Sequence, residues 1–192
     1  MPKNRRPQPR DEKRAEIVEA AATLFLEHGY EKTSIGKICK AAGVAPNTIY
    51  WYFDDKDALL VATAEGFLQA ALADYPAVMD RPLVDQMEWM VDRLRPFKDL
   101  VSTIHERASR SAHVAEWHAG FHAAVEQLLE AQLPAPLDAA TRDADVTIVA
   151  FTLEGIVTHD VGAEPSRAVY TALIGRVLAS SGAGRAQDAT IP

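Results

Sequence analysis

The chain has 192 residues, 48% of them apolar and 24% charged, with 10 glycines and 11 prolines. This composition is that of one or two ordinary globular domains and excludes collagen-like, low-complexity and largely disordered chains. Its net charge of −7 is unevenly spread, with ten Lys and Arg against eight Asp and Glu in residues 1–56, and ten against nineteen in residues 57–192, so any binding of nucleic acid is expected in the N-terminal part.

Cys39 is the single cysteine, which excludes an internal disulfide and a cysteine-based zinc site and makes the reducing cytoplasm the expected compartment. No apolar run approaches the roughly 20 residues of a membrane span, and charged residues stand where a secretory signal would be apolar. No membrane partner is expected.

Residues 1–10, with three prolines and four basic side chains, read as a flexible basic arm. From 11 to 28, Ile17, Ala21, Leu24 and Phe25 recur at helical spacing and Gly29 supplies the stop. Thr33 or Ser34 caps a short second helix with Ile35, Ile38, Cys39 and Ala42 on one face, closed by Gly43. Gly36 inside it costs up to about 1 kcal/mol of helix propensity. Residues 44–53 predict a third helix with Pro46 in its first turn, and Asp54-Asp55 a break and a new cap.

A helix over about 55–75, stopped by Pro76, leads into a region that prolines 82, 96, 134, 136 and 165 cut into candidate helices of about 82–95, 97–110, 112–133, 138–161 and 166–181. Residues 183–192 read as a loose tail. No β-branched alternation predicts a strand. The expected fold is all-α, with a small N-terminal three-helix unit (11–54) in helix-turn-helix outline joined to a larger C-terminal helical bundle (55–182), the helix 55–75 connecting the two.

In the third helix, a rotation of about 100° per residue puts Ile49 and Phe53 on one side and Asn47, Thr48 and Trp51 on the other. Tyr50 and Tyr52 fall on the flanks, where their hydroxyls suit phosphates, and Lys56 adds a charge one turn on. Asn47, Thr48 and an apolar edge such as Ala45 or Pro46 suit base edges and thymine methyls. Residues 50–53 can also be read as a packed aromatic cluster, but four consecutive aromatics on one helix cannot all face inward.

The set Arg14, Ile17, Ala20-Ala21, Leu24-Phe25, Gly29-Tyr30, Thr33-Ser34, Ile38, Ala41-Ala42-Gly43-Val44, Thr48-Ile49-Tyr50, Tyr52-Phe53, Lys56 and Leu59-Leu60 resembles the DNA-binding domain of the TetR family of bacterial transcriptional regulators. The resemblance implies a homodimer that binds a palindromic operator in double-stranded DNA, usually as a repressor, and is released by a small molecule bound in the C-terminal domain. Carried over by position, it implies that Thr33, Ser34, Tyr50, Tyr52 and Lys56 touch phosphates and that Ala45, Pro46, Asn47 and Thr48 meet bases. Trp51 departs from the small or basic residue usual there, and Gly36 is the second departure.

Beyond residue 61 the resemblance is architectural only. Helix 138–161 is apolar on two faces, one with Val146, Val149, Ala150, Leu153, Ile156 and Val157 and one with Ile148, Phe151, Thr152, Gly155 and His159. The last helix offers Val169, Tyr170, Leu173, Ile174, Val177 and Leu178, a stripe too wide for one neighbour to cover. Pairing Val146, Val149, Ala150, Leu153, Val157, Val169, Leu173 and Val177 with their symmetry mates makes an isologous four-helix interface; the alternative is an ordinary monomer core.

An apolar or aromatic effector is expected among Met87, Met90, Phe97, Val101, His105, Trp117, His118, Phe121 and Phe151, each of which can equally be plain core. His118 and His122, four apart with Glu126 continuing the line, have a spacing that suits one metal ion, so a metal-responsive regulator is an alternative, although no metal or cofactor is expected. A second alternative, non-specific DNA packaging, fits poorly with the acidic C-terminal part. No phosphate loop or nucleophile elbow occurs, and no catalytic residue is expected.

Overall fold

Gly29 (φ +81°) and Gly43 (φ +64°) adopt left-handed backbone, and each stands where a helix stops, because a residue with a Cβ pays for that conformation. The N–H of Gly29 bonds the carbonyl of Phe25, and that of Gly43 the carbonyl of Cys39. At the opposite ends, the Ser34 hydroxyl accepts from the N–H of Lys37, and Asp55 accepts from the N–H of Ala58 at 2.8 Å, satisfying donors that a helix start leaves open.

The structure is a computed structural model that describes residues 10–132, 139–159 and 161–180. The expected tail and the first nine residues of the expected arm lie outside these; Arg10 is helical. Nine α-helices occur among the described residues: α1 (Arg10–His28), α2 (Ile35–Ala42), α3 (Pro46–Tyr52), α4 (Lys56–Asp74), α5 (Leu83–Leu94), α6 (Lys98–Ala108), α7 (Ala112–Gln132), α8 (Ala139–Thr158) and α9 (Ala163–Ser180). Single 3-10 turns at Tyr75–Ala77 and Arg95–Phe97 absorb Pro76 and Pro96. The helix expected to follow Pro165 begins before it, at Ala163, since a proline in the first turn lacks only an N–H that has no intrahelical partner.

Two compact units result. The first comprises residues 10–70 with Asp99–Trp117, and the second residues 71–98 with 118–180. This division differs from the boundary at 54/55 read from the sequence, for most of α4 and α6 share a core with the DNA-binding helices. That core holds Ile17, Phe25, Ile38, Ile49, Phe53, Leu59 and Leu60, with Leu100 and Ile104 of α6 and Val114 of α7. Each such side chain contributes about 1.5–3 kcal/mol by leaving water.

In the second unit α5 packs against both α8 and α9. Met87, Val91, Val149, Val157 and Tyr170 are almost wholly buried there. Gln86 is buried as well and fully employed, accepting from the Tyr75 hydroxyl at 2.6 Å and donating to the carbonyls of Met79 and Arg81. Arg167 of α9 pairs with Asp85 and Glu88 of α5.

The expected dimer stripe needs correction in this unit. Val146, Val149, Ala150, Leu153, Val157 and Val177 are buried within the single chain, Leu173 is half-buried and Val169 alone of the eight is exposed. The other apolar face of α8 is the outward one: Ile148 is 50% and Phe151 62% exposed. Both faces were legible as apolar, but the one assigned to the partner is buried within the chain.

Candidate nucleic-acid interface

The helix-turn-helix is built from the buried side outward. Ile38 and Cys39 of α2 and Ile49 and Phe53 at α3 are buried, and the turn at Gly43 lets α3 follow α2 after three residues. With Ile49 and Phe53 turned inward, the other side of α3 must face solvent. Ala45, Pro46, Asn47, Tyr50 and Trp51 are exposed and Thr48 and Tyr52 half-buried; the two largest, Tyr50 and Trp51, are 55% and 61% exposed. Apolar rings left in water at this level lie on a face that invites a partner.

Trp51 is held in place. Its ring lies edge-on to Tyr52 at 4.8 Å between centroids, and the guanidinium of Arg10 sits over it at 4.5 Å. Arg14 lies over Phe53 in the same manner at 5.1 Å. These stacks fix two cations of α1 beside α3, each worth about 0.5–1 kcal/mol at an exposed site. Sequence reading placed Arg10 in an unstructured arm; the one available signal was a basic residue next to the helix start.

Two expected phosphate contacts need revision. Thr33 is completely buried; its hydroxyl donates to the carbonyls of Leu24 (3.1 Å) and Gly29 (2.9 Å), and its N–H bonds Tyr30. The Thr33 side chain therefore ties α1 to the following turn and drops out of the DNA-facing set. Lys56 directs its ammonium to the carbonyls of Tyr30 (2.9 Å) and Thr33 (3.1 Å), over the Tyr30 ring at 3.9 Å, and burial lowers its pKa. Two of its three donors serve the protein. Ser34 stays exposed at the α2 N-cap, where helix N–H groups favour an anion.

Behind this face lies a charged cluster that the sequence did not reveal. Buried Asp57 accepts two hydrogen bonds from Arg107, from Nε at 3.0 Å and from a terminal nitrogen at 2.6 Å, and one from the Tyr30 hydroxyl. Burial by itself raises the Asp57 carboxyl, but the bonds from Arg107 and Tyr30 and the Arg107 charge outweigh it and hold the pKa below the ordinary value. Burial and the same carboxylate push the Tyr30 phenol up.

The nine expected effector residues are divided between the units. Val101, His105 and Trp117 belong to the first, and Met87, Met90, Phe97, His118, Phe121 and Phe151 to the second. Met87 is core and Phe151 stands at the surface. An open recess of about 600 Å³ on the α5–α9 side is lined by Glu88, Glu164, Arg167, Thr171 and small neighbours and includes none of the nine.

A three-helix unit that presents a short helix of amide, hydroxyl and aromatic side chains beside fixed cations defines a helix-turn-helix DNA-binding protein. Residues 17–63 match the family described as bacterial regulatory proteins, tetR family. The HTH-type transcriptional regulator UidR of Escherichia coli K12 is 26% identical over 165 residues, which cover 86% of this chain and 75% of that protein. The HTH-type transcriptional repressor KstR2 of Rhodococcus jostii is 31% identical over 102 residues, 52% of this chain and 46% of that one. The solved structure of GusR from Salmonella enterica superposes with a TM-score of 0.69 over 92% of this chain and 98% of that chain, at 23% identity. Residues 17–63 thus carry a TetR-family DNA-binding domain, in a chain whose longer matches are to proteins named as transcriptional regulators. The chain is a DNA-binding transcriptional regulator with no helix, among the described residues, long and apolar enough to cross a membrane.

Proposed function

We propose that this regulator acts in the cytoplasm as a homodimeric repressor of a palindromic operator, released by a small apolar or aromatic molecule, and that it works by binding rather than by catalysis. The observation that carries the DNA half is the outward face of α3, with Asn47, Tyr50 and Trp51 exposed while Ile49 and Phe53 anchor it. The set offered to DNA is Ala45, Pro46, Asn47, Thr48 and Trp51 at base edges, and Ser34, Tyr50 and Tyr52 at phosphates, with Arg10 beside them. The third donor of Lys56 adds to the phosphate set.

The dimer half is supported by the exposed apolar residues Ile148, Phe151, Val169 and Leu178 on α8 and α9. A two-fold pairing sets two recognition helices about one DNA turn, roughly 34–36 Å, apart. The repressor sense is supported by KstR2, whose name states it. Selection of bound sequences from a random duplex pool, at near-physiological salt, tests the reading. A two-fold symmetric motif is expected; retention of DNA without sequence enrichment, or of none by a folded sample, refutes it.

A further inference from the structure

Three potential metal ligands meet in the second unit. The Nε2 atoms of His118 and His122 on α7 are 3.1 Å apart, and Oε1 of Glu154 on α8 lies 3.9 Å from the first and 3.6 Å from the second. With metal–ligand bonds of about 2.0–2.2 Å, the edges of a tetrahedron around Zn²⁺ measure about 3.3–3.5 Å. The three observed separations bracket that value, so a small movement of the side chains brings all three atoms to bonding distance of one ion.

The donor set also has the right chemistry. Two imidazoles and one carboxylate suit zinc and its neighbours rather than calcium or magnesium, which take oxygen ligands. Each of the three side chains is about one-fifth exposed, sheltered enough to favour a charge-neutralising ion and open enough to admit it. The rings of Phe121 and Phe151 stand against His122 at 5.7 and 6.3 Å between centroids. They form an apolar wall that limits its rotation and gives the exposed Phe151 a local role. Glu126, which the i, i+4, i+8 spacing suggested as the third ligand, is not in the group; the carboxylate comes from the neighbouring helix.

We propose that His118, His122 and Glu154 contribute to a binding site for a divalent transition metal of the zinc class. The ion bridges α7 to α8 and stabilises the unit that holds it, since it binds only where the two helices meet.

The test uses full-length, tag-free protein stripped with a chelator and titrated calorimetrically with Zn²⁺, and separately with Co²⁺, whose visible absorption reports tetrahedral ligation. One ion per chain is expected for the parent and for Glu126→Gln. His118→Ala, His122→Ala and Glu154→Gln are each expected to bind at least about tenfold more weakly, which is the lower end of the loss when only an orienting partner is removed. Circular dichroism checks that their helix content is unchanged. No uptake by the parent, or parental affinity in folded Glu154→Gln and His118→Ala, overturns the proposal. The readout is metal binding without DNA, so the outcome is separate from that of the operator selection.

Discussion

Asn47 and Lys56 look like members of one DNA-facing set in the sequence, and the structure separates their tasks. Asn47 is exposed in the first turn of α3. Asn47→Ala is expected to relax preference at one operator position, by about 1–3 kcal/mol of discrimination, while leaving thermal stability unchanged; competition binding with base-substituted operators reads this. Lys56→Ala removes two hydrogen bonds to carbonyls that close the α1–α2 turn. It is expected to lower stability by about 1–2 kcal/mol in urea unfolding of the protein alone. Gly36 offers the opposite sign. A Cβ there would meet nothing nearer than the Ser34 hydroxyl at 3.9 Å, so Gly36→Ala is expected to raise stability by about 0.5–1 kcal/mol. A decrease in the same unfolding experiment would show that α2 needs the glycine.

At the scale of elements, the Asp57–Arg107 pair fixes the first turn of α4 to the last turn of α6. Because the Asp57 carboxyl is lower in the folded protein than in the unfolded chain, its contribution is complete above the unfolded value of about 4 and is lost as pH falls through the folded one. Stability is therefore expected to decline below about pH 4, and Asp57→Asn to flatten that decline at the cost of lower stability at neutral pH. Arg107→Ala leaves a buried carboxylate without its main partner and is expected to cost about 3 kcal/mol. Denaturation curves at several pH values test both. Nothing in the local sequence announced this pair, since its members are 50 residues apart and each looks like a solvated charge. The helices themselves were legible because their ends depend on local chemistry: glycine in left-handed backbone, a hydroxyl or carboxylate at the N-cap, proline in a first turn. The face of α3 was legible for the same reason. Which apolar face of α8 points outward was not, because that depends on the helices α5 and α9 packed against it, and neither was the Glu154 side of the histidine pair.

For the whole molecule, the proposed dimer is tested at the exposed side of α8. Ile148 and Phe151 are separated by three positions and so stand together on one helix face, half or more exposed. The acidic residues 57–192 oppose DNA, so one basic N-terminal unit acting alone gains little from phosphate neutralisation. Two such units joined across a two-fold axis bind with the second contact made intramolecular, a gain of about 10²–10⁴ in affinity. Ile148→Asp puts a charge on the outward face without touching the buried stripe. It is expected to shift the protein from dimer to monomer in sedimentation velocity, and to lose roughly 100-fold or more in affinity for a two-half-site operator, while binding to a single half-site is unchanged. A variant that stayed dimeric with full operator affinity would place the interface elsewhere. One that became monomeric yet bound the full operator as before would show that a single helix-turn-helix suffices.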